Sequence, residues 1–295
     1  MPSLSRKHAY TLRMRGKYPP LRIHVWGGLG SQLFAVYLAY QIDQRYPGKS
    51  LTLVLHTGGV TRRSPEICDL FPEYEYREVD DFFSQGHVSS KKIKKNFVPS
   101  LKTTFRHLLL LTGLLAEEND DRSRKVRPWT MSARGHYFHK KVSSDFLNLL
   151  YSRLESQHRS LIGEYQSIDV LHYRLGDLMD LVEKKPIEPS QIVNALINIK
   201  HNEEITVFSD SPGIAVELLS NATIKTRFVG SSLSASEILF VSANAKLFIG
   251  TSSKISYWIV ILRNSVISNS VNYIPKTDSV IMDNLIGDFH EVKYY

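Results

Sequence analysis

The chain has almost no sulfur chemistry and no long apolar run. One of its 295 residues is cysteine, Cys68, so an intrachain disulfide is excluded and a reducing compartment is expected. The apolar stretch Leu108–Leu115 is interrupted by Thr112 and Gly113, far short of the ~20 residues a membrane span needs. Residues 1–22 contain no acid. They carry Arg6, Lys7, Arg13, Arg15, Lys17 and Arg22, and run into Tyr18-Pro19-Pro20 without the apolar core of a secretory leader. A cytoplasmic location follows as the expectation, with peripheral contact at an inner membrane face through basic residues.

Catalytic signatures are also missing. There is no Gly-x-Ser-x-Gly nucleophile elbow, and Cys68 has no catalytic context. Gly48-Lys49-Ser50 is not a phosphate loop, because Asp43 stands where the upstream glycine is required. Asp80-Asp81 and Asp120-Asp121 are adjacent pairs, and Asp177 and Asp180 stand three apart; none is an Asp-x-Asp clamp for a divalent cation. His136 and His139 have ligand spacing without a third ligand. No metal and no cofactor is expected.

What is present is positive charge and alternating structure. Lys plus Arg total 37 against 29 Asp plus Glu, a net charge of +8. That balance suits polyanionic or phosphorylated partners. Further basic clusters are Lys91, Lys92, Lys94 and Lys95, then Arg122, Arg124, Lys125 and Arg127. A nucleic-acid binder without catalysis would account for the charge, but none of the common binding motifs is present.

The length fits two domains of about 150 residues. A tail spans 1–20, an N-terminal domain 21–145 and a C-terminal domain 146–295. Leu21–Trp26 reads as a strand, Gly27–Gly30 as a tight turn and Ser31–Tyr46 as a helix with apolar Leu33, Phe34, Tyr37, Leu38 and Ile42. Leu51–His56 is the next strand. Ser64-Pro65-Glu66 starts a short helix, Leu108–Leu115 reads as a buried helical segment, and Ser143–Gly163 as a long amphipathic helix. Strands are expected at Ile168–Tyr173, Ile205–Ser209, Ile224–Val229, Lys246–Gly250 and Val266–Ser268. Helices are expected between them at Pro189–Ile199, Pro212–Leu219, Ser234–Asn244 and Ser253–Arg263. Such alternation predicts an α/β fold of two Rossmann-like domains with parallel sheets and a cleft between them.

Four segments share one position, strand end followed by helix start, where α/β proteins bind ligands. Gly28, Leu29, Gly30 and Gln32 follow the first strand; glycines there admit close approach to a helix N-terminus, which attracts anions. His172, Arg174 and Asp177 follow the strand ending at Tyr173. Arg174 can hold a phosphate and neutralise a leaving diphosphate, with Asp177 orienting its guanidinium. Asp210 can accept from a nucleobase amine or cap the helix after it. Ser252, Ser253 and Ser256 bring hydroxyls to a helix start, with Lys254 beside them; a serine N-cap is the structural alternative.

These segments resemble a known family. Gly27-Gly28-Leu29-Gly30-Ser31-Gln32-Leu33-Phe34 resembles the Gly-Gly-Leu-Gly-Asn-Gln-Leu/Met-Phe opening of α-1,2-fucosyltransferases, glycosyltransferase family 11. His172–Asp177 resembles the His-x-Arg-x-Gly-Asp motif of the wider α-1,2/α-1,6/protein-O-fucosyltransferase superfamily. Phe208-Ser209-Asp210 resembles its Phe-Ser-Asp-Asp segment, and Ser252–Trp258 its Ser-Ser-Phe-Ser-Trp-Trp region. Ser31, Leu175 and Ser211 stand where the family has Asn, Arg and Asp. The resemblance implies an inverting, metal-independent GT-B enzyme moving fucose from GDP-fucose to a sugar hydroxyl of a surface glycan in α-1,2 linkage, with a lipid-linked glycan among the acceptors to be expected. It implies Arg174 on the donor β-phosphate, His172 and Asp210 near the guanine, Ser252, Ser253 and Ser256 along the diphosphate, and Gly28–Gly30 facing sugar and acceptor. A transferase of the same architecture with another nucleotide sugar is the alternative.

Overall fold

The computed structural model describes residues 17–58, 65–80, 101–119, 122–123, 125–137, 141–165, 167–179, 185–199, 204–220, 224–229, 233–266, 270–286 and 292–295. Residues 1–16, Ser64, the Lys91–Lys95 cluster and His139 lie outside them, as do the side chains of Arg122, Arg124 and Asp177. The chain forms two compact units, divided between 138 and 139.

The N-terminal unit opens as β1 (Leu21–Trp26), α1 (Leu29–Arg45) and β2 (Leu51–His56). Alternate residues Leu21, Ile23 and Val25 of β1 are buried, the period of a strand with one face on a core. Gly27 makes the turn with φ +93°, a backbone conformation a side chain would strain. The helix begins two residues earlier than the apolar spacing suggests. Gly28 is its N-cap, and its carbonyl accepts from the backbone N–H groups of Ser31 and Gln32. Then come α2 (Ile67–Leu70), β3 (Glu75–Val79), α3 (Leu101–Thr112), β4 (Leu115–Asn119), β5 (Arg122–Ser123) and β6 (Ser132–Gly135). The sheet order is β3-β2-β1-β6-β4-β5, parallel except for the β4–β5 pair.

The expectation of a buried helix at Leu108–Leu115 is corrected here. Leu115 opens β4, and α3 exposes Phe105, Leu108 and Leu111 by 60%, 55% and 71%. A run of four leucines is apolar on every side, so its composition does not say which side packs.

The C-terminal unit begins with α4 (Ser144–His158), whose Phe146, Leu147, Leu150 and Leu154 are buried. A 3-10 turn and α5 (Ile162–Tyr165) break what the pattern predicts as one helix. There follow β7 (Asp169–Tyr173), α6 (Pro189–Asn198), β8 (Glu204–Ser209), α7 (Pro212–Leu219), β9 (Lys225–Val229), α8 (Ala235–Ala243), β10 (Leu247–Gly250), α9 (Lys254–Val266), β11 (Val271–Ile274), α10 (Ser279–Ile286) and β12 (Val292–Tyr294). The sheet order β12-β11-β10-β7-β8-β9 is parallel throughout. Ser234 and Glu237 form the capping box that their spacing predicts at the start of α8. Both units are parallel-sheet, Rossmann-like α/β domains.

Of the strand expected at Val266–Ser268, only Val266 lies within the described residues, and it is helical. The helix α9 runs on to Val266 and the strand lies at β11. Arg263 explains the longer helix. It is fully buried, donates through Nε to Asn272 Oδ1 at 2.6 Å, and donates to the carbonyls of Ser242, Ala245 and Lys246. One guanidinium thereby satisfies the backbone where α8 turns into β10 and fixes α9 to β11. Arg263→Met keeps the bulk but strands those carbonyls, each worth about 1–3 kcal/mol when left unpaired. A loss of about 3 kcal/mol or more in urea unfolding is expected; a change under about 0.5 kcal/mol would refute this role.

Candidate active site

In the C-terminal domain β7 lies between β8 and β10, with Tyr173 paired to Ser209 and His172 to Gly250. The loops after these three strands are therefore neighbours. Successive strands run β7-β8-β9 to one side and β10-β11-β12 to the other, so β7 and β10 flank the point where the winding reverses. Such a point opens a crevice at the carboxyl ends of the strands.

Four of the predicted residues are bonded in pairs there. The Nη1 of Arg174 forms an ion pair with Asp210 Oδ2, both side chains about one fifth exposed. Asp210 Oδ1 accepts from the backbone N–H of Leu175 at 2.9 Å. The carboxylate thus holds both the guanidinium and the loop that carries it. It does not cap α7, whose N-cap Ser211 makes no side-chain cap bond. Asp210 is a described partner of Arg174 that the sequence does not pair with it. Asp177 contributes its backbone to a 3-10 turn, Gly176–Met179, and its side chain lies outside the described residues. Gly176 has φ +26°, and a Cβ there would run into the Asp210 carboxylate and sit 3.2 Å from Arg174 Nη1.

His172 and Ser256 form the second pair, Nδ1 to Oγ at 2.8 Å. Ser253 Oγ donates to Ser256 Oγ at 2.9 Å and accepts from the Ser256 backbone N–H at 3.1 Å. Ser253 is therefore the N-cap of α9 as well as part of this chain. Ser256 Oγ has two lone pairs, so either atom of the His172–Ser256 pair can donate, according to the tautomer of the ring. Burial, and then the nearby Arg174 charge, push the His172 pKa down to about 3. The ring is neutral, and with Ser256 fully buried this pair shapes the crevice from below. Ser252 lies toward Asp278, whose carboxyl burial pushes above its usual range while Ser252, Tyr257 and Thr277 pull it back.

Two participants are not singled out by the sequence patterns. Thr251 is 1% exposed; its Oγ1 accepts from the Arg174 backbone N–H at 2.8 Å and donates to the His172 carbonyl at 3.0 Å. It welds the β7 loop to the β10 loop. Its place next to Ser252 was the available signal. Asp278 comes from the turn after β11 and carries no local signal at all.

The Gly28–Gln32 segment belongs to the N-terminal domain and forms its own arrangement. Leu29, Gly30 and Gln32 are buried, and Gln32 Nε2 donates to the Gly27 carbonyl at 3.3 Å. Just before it, the rings of Trp26 and His56 stack at 4.5 Å, and His24 Nδ1 lies 2.9 Å from His56 Nε2. Parallel register brings Trp26 opposite His56; two strand-end aromatics in neighbouring strands were the readable signal. Among the described residues no group of three or more His, Cys, Asp or Glu is placed to hold a metal ion, and no helix is long and apolar enough to cross a membrane.

No protein-family model matches the sequence, and no curated protein does. Solved structures similar to this chain include NodZ alpha-1,6-fucosyltransferase soaked with GDP-fucose, at 13% identity over 86% of this chain and 95% of that one, TM-score 0.42. The heptosyltransferase WaaC of E. coli with ADP is similar at 11% identity over 93% of each chain, TM-score 0.44. POFUT1 in complex with GDP-fucose is similar at 13% identity over 84% of this chain and 96% of that one, TM-score 0.33. At these scores the functional reading rests on the residues of this chain.

The neutral His172 gives a pH signature. Its folded pKa, about 3, lies below the ordinary value of 6.5, so the unfolded ring takes up a proton that the folded one refuses. Stability from this residue is complete above pH 6.5 and falls as pH drops toward 3. Between pH 7 and pH 5 the loss is about 2 kcal/mol. His172→Asn, which cannot titrate, should be less stable at pH 7 but flatter by that amount in urea midpoints. An equal slope in both proteins would show that His172 is not buried neutral.

Proposed function

We propose that this chain is an inverting glycosyltransferase of GT-B architecture that moves fucose from GDP-fucose to a sugar hydroxyl of a glycan, in α-1,2 linkage. The observation that carries the reading is the Arg174–Asp210 clamp at the winding reversal of the C-terminal sheet. A guanidinium fixed in direction, beside the start of a thirteen-residue helix that has Lys254 and no acid in its first turn, favours a dianionic group.

In the transfer, positive charge develops at the anomeric carbon and negative charge on the departing diphosphate. Arg174 and the N–H groups at the start of α9 supply the compensating field already oriented, which lowers the barrier more than mobile charges would. Asp210 keeps the guanidinium from swinging into solvent. His172, Ser256 and Thr251 act as positioning residues, since they are buried and reach the crevice through Ser253 and the Arg174 backbone. Charge neutralisation by Arg174 and backbone dipoles makes the donor step independent of a divalent cation. The acceptor hydroxyl attacks the face of the sugar opposite the diphosphate, inverting the anomeric centre.

Thermal shift with nucleoside diphosphates tests this directly. GDP at 100 times its Kd should add about 2.7 kcal/mol of stability, with EDTA making no difference. Arg174→Ala should abolish the shift, and Gly176→Ala should weaken it by forcing Asp210 off the guanidinium. A preference for UDP, dTDP or CDP would move the donor assignment and leave the diphosphate site standing. No shift with any nucleotide would end the transferase reading.

A further inference from the structure

We propose that one end of the N-terminal domain is a docking surface for an anionic lipid membrane. The inference stands apart from the transferase reading. It starts from three side-chain pairs of the same kind. Lys17 Nζ lies 5.7 Å from the ring centre of Tyr18, the Arg45 guanidinium 5.5 Å from that of Tyr46, and the Arg127 guanidinium 5.5 Å from that of Trp129. All three cations are exposed.

These pairs come from distant parts of the sequence but form one surface. Tyr18 and Tyr46 rings are 5.7 Å apart. Lys49 Nζ donates to the carbonyls of Pro19 and Pro128 at 2.7 and 2.8 Å, and Tyr46 Oη to that of Val126 at 3.4 Å. Trp129 Nε1 donates to the Thr112 carbonyl at 2.9 Å, which joins the aromatic pairs to the end of α3. All of these segments precede strands β1, β2, β4 and β6. They lie at the end of the parallel sheet opposite the Gly27–Gly30 turn, so a partner seated there leaves that turn open.

The helix α3 supplies the apolar part. Phe105, Leu108 and Leu111 fall on one side at i, i+3 and i+6, all more than half exposed, with Trp129 and Met131 exposed by 46% and 48% nearby. Aliphatic side chains projecting from a helix about 18 Å long, next to cations resting on aromatic rings, match the layering of a bilayer surface. Aliphatics enter the acyl boundary, Trp and Tyr sit at headgroup depth, and Lys and Arg meet phosphates. The charge complementarity selects anionic lipid. Lys17, Arg45, Lys125 and Arg127 are exposed at this end, where the acids Asp43 and Glu73, near one another before β2 and β3, are fewer. A nucleic acid would use the cations and rings but has no use for three exposed aliphatic and aromatic side chains along a helix.

The test is co-sedimentation of the full chain with vesicles of phosphatidylcholine alone, or of phosphatidylcholine with phosphatidylglycerol. Retention on the anionic vesicles at low salt is expected, with little on the neutral ones. Leu108→Asp with Leu111→Asp, and separately Arg45→Glu with Arg127→Glu, should each weaken retention on the order of tenfold or more. Circular dichroism should stay unchanged in both, because all four side chains are exposed. The inference is overturned if anionic vesicles retain no wild-type chain, or if both double variants bind as well as wild type. It also falls if single-stranded oligonucleotide binds and vesicles do not compete. It falls likewise if wild type elutes as a dimer that the leucine variant splits while vesicles retain neither.

Discussion

The central placement of β7 is the constraint on which the C-terminal domain depends. A parallel strand needs a long crossover before its neighbour can pair, and right-handed crossovers put the helices on a face set by the direction of winding. With β8 and β9 wound to one side of β7, and β10 to β12 to the other, the helices of the two halves are forced onto opposite faces. No helix can close the gap between the ends of β7 and β10. Polar groups in that gap would be left half-solvated, and the sequence fills it with residues that bond one another across the two loops. Thr251 ties the β10 loop to both the His172 carbonyl and the Arg174 amide. Asp210 ties the β8 loop to the β7 loop.

The same constraint sorts the titratable groups. His172 is on β7, under the crevice, where desolvation outweighs its one bond to Ser256 and keeps it neutral. Arg174, two residues on, is at the rim and keeps its charge with a carboxylate beside it. Two potential cations that alternate along the chain thus come to differ in charge because one is dry and the other is not. The neutral ring also spares Arg174 a like charge at close range, which would otherwise weaken any anion site formed there.

Much of this was legible in the sequence, for reasons that can be named. The alternation of short β-branched strands with Pro-started or Ser-capped helices places β7, β8, β10, α7 and α8 to within a residue or so, because each carries its own boundary marker: Pro212 at the start of α7, Ser234 and Glu237 at that of α8. The shared position of the four loops was legible too. What failed was information that does not reside locally. The sequence does not pair Arg174 with Asp210, which the fold brings to it from the end of the neighbouring strand β8. The expected helix ends at Arg263, yet this arginine is fully buried and bonded to Asn272 and the Ala245 carbonyl, and the helix runs three residues further, to Val266. The leucine run of α3 reads as core, yet most of its bulk faces outward.

That outward bulk belongs with a second asymmetry. In the N-terminal domain the carboxyl ends of the strands carry the glycine turn and the stacked Trp26 and His56 rings. The amino ends carry lysine and arginine on aromatic rings, fastened by the buried amine of Lys49. Burial lowers the Lys49 pKa to about 8, a cost in folding energy that a solvent-exposed lysine would not incur. Two carbonyls from segments far apart in sequence are satisfied in exchange, which holds the Pro19 and Pro128 turns against each other and keeps the aromatic rings in one surface. A chain with no use for that end of its sheet could close it with apolar contacts at no electrostatic cost. Here a buried cation, three cation–aromatic pairs and an outward-facing helix are maintained together, and what they have in common is a rigid, basic, aromatic face directed away from the strand ends where the glycine turn lies.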